Sequence, residues 1–124
     1  MRAVLFGLVG AVLLGGAAQA EVSVYRAKSP RLDASLTITT DPAGKSTGSY
    51  SLNAHGCIGE VSGDLAKAGP SGMILSARSG AAEICKIRFT QKGQTVVASE
   101  ADDGDCSNFR GASCAFAQVL SKRR

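Results

Sequence analysis

Leu32-Asp33-Ala34-Ser35-Leu36-Thr37-Ile38-Thr39 decides the fold class. Its apolar and polar side chains alternate without a break. In an extended strand successive side chains point to opposite faces, so the stretch reads as a strand with one apolar face and one wet face. The same period of two recurs in Tyr50-Ser51-Leu52-Asn53-Ala54, in Val61-Ser62-Gly63-Asp64-Leu65 and in Cys85-Lys86-Ile87-Arg88-Phe89. Further strands are expected over Val22–Ala27, Met73–Ala77, Thr95–Ser99 and Ser113–Leu120. Turn-forming residues separate them: Asp41-Pro42-Ala43-Gly44, Ala68-Gly69-Pro70-Ser71-Gly72, Ser79-Gly80, Lys92-Gly93 and Asp102-Asp103-Gly104. Short strands at this spacing predict an all-β domain, a small antiparallel barrel or sandwich of about eight strands. Only Ser113–Lys122 tolerates a helix as well, through Ala115, Ala117 and Leu120.

Residues 1–20, MRAVLFGLVGAVLLGGAAQA, have the layout of a cleavable export signal. Arg2 supplies the positive start, Val4 to Leu14 the apolar run, and Ala18-Gln19-Ala20 the small-residue cleavage pattern. The run is too short for a spanning helix. No Cys stands at the cleavage point to take a lipid. The expected product is one domain, residues 21–124, soluble in the periplasm or secreted.

Export changes the meaning of the four cysteines, Cys57, Cys85, Cys106 and Cys114. An even number of cysteines in a small exported domain implies disulfides. Cys106 and Cys114 flank the short loop CSNFRGASC and are expected to pair, which leaves Cys57 for Cys85. In the strand alternation Cys57 shares a face with Val61 and Leu65, and Cys85 with Ile87 and Phe89, so both thiols point to the apolar side.

Composition excludes several classes of function. A net charge of +4 with few aromatic residues gives no basic, aromatic-lined surface for nucleic acid. No C-x-x-C spacing occurs and His55 is the lone imidazole, so no metal or cofactor is expected. A catalytic triad would have to rest on His55, in Asn53-Ala54-His55-Gly56-Cys57 at a strand end, where a surface residue is the expectation. Glu100, Asp102, Asp103 and Asp105 crowd one turn without the spaced ligands of a calcium loop. No enzyme is predicted.

What remains is recognition through a surface. Gly44-Lys45-Ser46-Thr47-Gly48-Ser49-Tyr50 combines small hydroxyls, a cation and a Tyr, a set that could enter a concave site. Lys45, Ser46, Ser49 and Tyr50 are its candidate partner-binding residues. A second candidate is Ser107-Asn108-Phe109-Arg110-Gly111-Ala112, where a disulfide collar would hold Phe109 and Arg110 as an anchor pair.

A small exported β-domain with disulfides and a Ser/Gly/Tyr segment resembles the small periplasmic inhibitors of lysozyme-type peptidoglycan hydrolases. The residues that carry the resemblance are Thr47-Gly48-Ser49-Tyr50 and Ser76-Ala77-Arg78-Ser79-Gly80, followed by a strand and Lys92-Gly93. Glu83 stands where the second match would have a Tyr, and the cysteine spacing departs from the family's. The resemblance implies a β-barrel whose polar loop plugs a muramidase cleft. The expected partner is therefore a lysozyme or another peptidoglycan hydrolase. A secreted or envelope module that binds a protein or glycan without blocking catalysis is the alternative.

Overall fold

The computed structural model describes residues 19–79, 83–110 and 115–123. Eight strands follow in chain order: β1 (Glu21–Ser29), β2 (Leu32–Thr40), β3 (Ser46–Ala54), β4 (Cys57–Lys67), β5 (Gly72–Ser79), β6 (Glu83–Lys92), β7 (Thr95–Glu100) and β8 (Gln118–Lys122). Each pairs antiparallel with the next, and β8 pairs with β1, so the sheet closes into an up-and-down barrel. The expected all-β, eight-stranded class is the one observed. Of the expected export signal, residues 1–18 lie outside the described residues. No helix among the described residues is long and apolar enough to cross a membrane.

Alternation explains the inside of the barrel. Ala34 and Leu36 from β2, Tyr50 and Leu52 from β3, Val61 from β4, and Ile87 and Phe89 from β6 are all buried. An eight-stranded barrel is just wide enough to be filled by side chains or to hold one small ligand. Here it is filled. Tyr50 packs edge-on against Phe89, with ring centroids 5.3 Å apart, and against Phe116 at 5.5 Å.

The ladder is uneven. β3 pairs with β4 along their full length, from Ser46↔Leu65 to Ala54↔Cys57. β4 pairs with β5 only from Asp64↔Ser76 to Lys67↔Met73. The first half of β4 is covered instead by the connection between β7 and β8. That connection holds a four-residue helix, α1 (Ser107–Arg110), which the sequence did not announce. The Asp105 carboxylate starts it by accepting hydrogen bonds from the Ser107 backbone N–H at 3.0 Å and hydroxyl at 2.6 Å. Gly59 makes room underneath. A Cβ there would lie 2.7 Å from the Phe116 ring and 2.9 Å from the Arg110 Cβ.

Two expectations are corrected here. The first is the disulfide pairing. Cys85 bonds Cys106, with Cα atoms 4.4 Å apart, and this bridge excludes both Cys57–Cys85 and Cys106–Cys114. The cause is the path of the chain after β7. Ala101 N–H donates to Lys86 C=O, and Asp105 N–H donates to Ile84 C=O, each at 2.9 Å. The turn thus continues along β6 and delivers Cys106 to Cys85. Cys57 is disulfide-bonded as well, and Cys114 lies outside the described residues.

The second is the last strand, which begins at Gln118 rather than Ser113. Phe116 cannot join the ladder, because side chains occupy both of its backbone groups. Its N–H donates to the Glu100 carboxylate at 3.0 Å, and its C=O accepts from the Tyr50 hydroxyl at 2.6 Å.

Candidate functional site

A filled barrel leaves recognition to its outside. The outward residues of β2, β3 and β4 form a sheet of small hydroxyls. The registers place Thr39, Thr47 and Asp64 in one row, and Thr37, Ser49 and Ser62 in the next. A third row is Ser35, Ser51 and Glu60. Between the first two rows runs a shallow groove of about 440 Å³. Inside it, the Ser62 hydroxyl donates to Ser49 at 3.1 Å.

The turn between β2 and β3 stands at one end of this face. Asp41 builds it. One carboxylate oxygen accepts the N–H of Ala43 at 3.0 Å and of Lys45 at 2.8 Å. The Asp41 backbone adds a bond in each direction, to Lys45 C=O and from Gly44 N–H, both 2.9 Å. Gly44 takes the left-handed conformation (φ 90°) that closes the turn and that a side chain would resist. Below the turn the hydroxyls of Thr40 and Ser46 lie 2.8 Å apart. Lys45 projects from this braced turn, exposed, with its ammonium 3.9 Å from Asp64. So exposed a pair contributes little to stability and leaves the ammonium available to a partner.

The candidate residues therefore separate. Lys45 and Ser49 share one surface, Lys45 at the turn and Ser49 in the groove. Ser46 is half-buried and its hydroxyl is taken up by Thr40. Tyr50 is corrected outright as a contact residue. It is 0% exposed, because in β3 it follows the inward parity of Gly48 and Leu52, and Ser46–Ala54 is strand rather than loop.

Phe109 and Arg110 are half-buried, and the structure gives both of them partners within the protein. Phe109 packs against the core from α1. The Arg110 guanidinium grips Glu100 through two bonds, Nε at 2.6 Å and Nη2 at 2.8 Å. That pair holds the Glu100 carboxyl below its ordinary range and raises the guanidinium further. Both residues fasten α1 to the barrel.

The chain matches no known family model, no curated protein and no solved structure. The reading of the surface rests on its own chemistry. Thr37, Thr39, Ser62 and Asp64 belong to that surface and were not named as candidate contact residues from the sequence. Their signal was present as the wet half of the alternation. It becomes a site only when the register sets three strands side by side.

Proposed function

We propose that this protein is an exported, non-catalytic binding module that inhibits a muramidase-type peptidoglycan hydrolase. The observation that carries the reading is the braced turn that holds Lys45 beside the hydroxyl groove. A muramidase cleft presents a pair of catalytic carboxylates flanked by sites that hydrogen-bond sugar hydroxyls. The Lys45 ammonium supplies a charge-assisted hydrogen bond to a carboxylate. Thr47, Ser49 and Ser62 offer hydroxyls in the neighbouring positions. The turn is fixed before binding by the Asp41 bonds, which lowers the ordering cost of association.

The net charge of +4 narrows the partner. Strongly basic lysozymes would be repelled at long range, so a less basic hydrolase is the better match. The test is lysis of purified cell wall by a panel of muramidases, with and without the protein. Inhibition by the wild-type chain and at least about tenfold weaker inhibition by Lys45→Ala are expected. Absence of inhibition across the panel at excess protein refutes the reading.

The hydroxyl face itself favours a second reading, an envelope module that holds a glycan without blocking an enzyme. Sedimentation with insoluble wall polymer, and no effect on its hydrolysis, would select that reading.

A further inference from the structure

The end of the barrel opposite the Lys45 turn holds a different chemistry. There the β1–β2 turn and the β3–β4 turn sit side by side, joined by the His55 N–H donating to Arg31 C=O at 2.9 Å. They border an open cleft of about 510 Å³, whose walls include Lys28, Pro30, Arg31, Asp33, Asn53 and His55.

The charge of this cleft is unbalanced. Asp33 is its only acid, and that carboxylate is already held by Arg26 at 3.2 and 3.1 Å and by Lys28 at 3.4 Å. Arg31 is exposed, and its side chain has no ion pair or hydrogen bond with the described residues. Arg31 thus brings to the cleft wall a positive charge that no acid of the wall is paired with.

The backbone is unusual at the same place. His55 has φ 54° and Gly56 φ 84°, the two left-handed positions of a type I′ hairpin turn. Asn, Asp or Gly is the favoured first residue of such a turn. An exposed imidazole stands there instead. The neighbouring turn is of the other kind. Pro30 fixes its own φ near −65°, and Arg31 is not left-handed, so this turn is not of the primed class that follows strand twist. The strands it joins stay paired up to Ser29↔Leu32, so the two turns project side by side from closed ladders.

We infer that this end of the barrel is a binding site for a small oxyanion, a carboxylate or phosphate group. Arg31 meets two of its oxygens with the guanidinium fork. His55 and the Asn53 amide donate from the β3–β4 side, and Lys28 adds charge from β1. The site is independent of the hydrolase reading and lies away from Lys45.

The test is a titration of the 15N-labelled protein at low ionic strength, with inorganic phosphate in one arm and acetate in the other. Saturable amide shifts confined to residues 28–33 and 53–56 are expected in at least one arm. The arm that saturates identifies the ligand chemistry. Arg31→Gln should weaken binding at least about tenfold. His55→Asn suits the turn, so it should keep the fold while weakening binding several-fold. Shifts that never saturate, or that spread evenly over the surface cations, overturn the site. So does an Arg31→Gln protein that binds as well as wild type.

Discussion

Tyr50 shows how one side chain can be read two ways. Its neighbours Thr47, Gly48 and Ser49 are residue types common in surface loops, and they draw Tyr50 into that reading. Its parity with Leu52 places it inside the barrel, and there parity decides. A tyrosine that deep must satisfy its hydroxyl, and the Phe116 carbonyl 2.6 Å away does so. Burial pushes its phenol well up, so the hydroxyl stays a donor. Tyr50→Phe keeps the ring against Phe89 and Phe116 and leaves the Phe116 carbonyl without this donor. The expected loss is about 1–2 kcal/mol, seen as a lower urea midpoint with an unchanged slope. Inhibition or wall binding by Tyr50→Phe should match wild type under conditions where both are folded. A surface contact residue would give the reverse pattern.

The element that departs most from strand periodicity is the β7–β8 connection, and Glu100 organises it. One carboxylate accepts two hydrogen bonds from Arg110 and one from the Phe116 N–H, so it fixes both α1 and the aromatic plug. The Arg110 bonds are the main reason its carboxyl lies below the ordinary 4.5. A carboxyl depressed in the folded state stabilises the fold above its unfolded value, and that contribution is lost as pH falls through the folded one. Glu100→Gln should therefore be less stable than wild type at neutral pH, by about 1–3 kcal/mol. The gap should narrow steadily as the pH falls below 4.5. Denaturation curves for the two proteins across that range check the sign. A gap that widens in acid would rule out the Glu100 pairing as its source. The strands were legible in the sequence because the alternation of Leu32–Thr39 or Cys85–Phe89 is a local property. The cover over β4 was not. Gly59 beneath Phe116 and Arg110 is a contact between distant residues of no common period, and only the closed barrel brings them together. The hydroxyl groove was half legible for the same reason. Ser49 was visible as a hydroxyl of the Gly44–Tyr50 segment, but its neighbours Thr37 and Ser62 depend on register.

At the scale of the whole molecule, the barrel has two short seams besides the four-pair β7–β8 ladder. β8 pairs with β1 through Tyr25↔Lys122 and Arg26↔Ser121, with the Arg123 N–H donating to Val24 C=O just beyond, and β5 meets β4 over four residue pairs, from Asp64↔Ser76 to Lys67↔Met73. Both seams depend on the β7–β8 connection, which positions β8 on one side and covers the first half of β4 on the other. The Cys85–Cys106 bridge is a covalent hold on that connection. Sequence proximity favoured Cys106 with Cys114, since a short loop closes easily. The backbone bonds from Ala101 and Asp105 to β6 outweigh that proximity by carrying Cys106 past the end of β7. Gly104 eases the path, because a Cβ there would sit tightly, 3.0 Å from the Lys86 nitrogen and 3.1 Å from the Ile84 oxygen. The bridge closes a loop with a sequence separation of 21, for which loop-closure entropy gives about 3 kcal/mol of stabilisation. The double variant Cys85→Ala/Cys106→Ala should lose that much in urea denaturation and still form the barrel, because the ladder from β1 to β7 does not pass through the bridge. A non-reducing peptide map of the wild-type protein should contain a fragment joining Cys85 to Cys106. A fragment joining Cys57 to Cys85 would refute this path of the chain, and with it the role assigned to the β7–β8 connection.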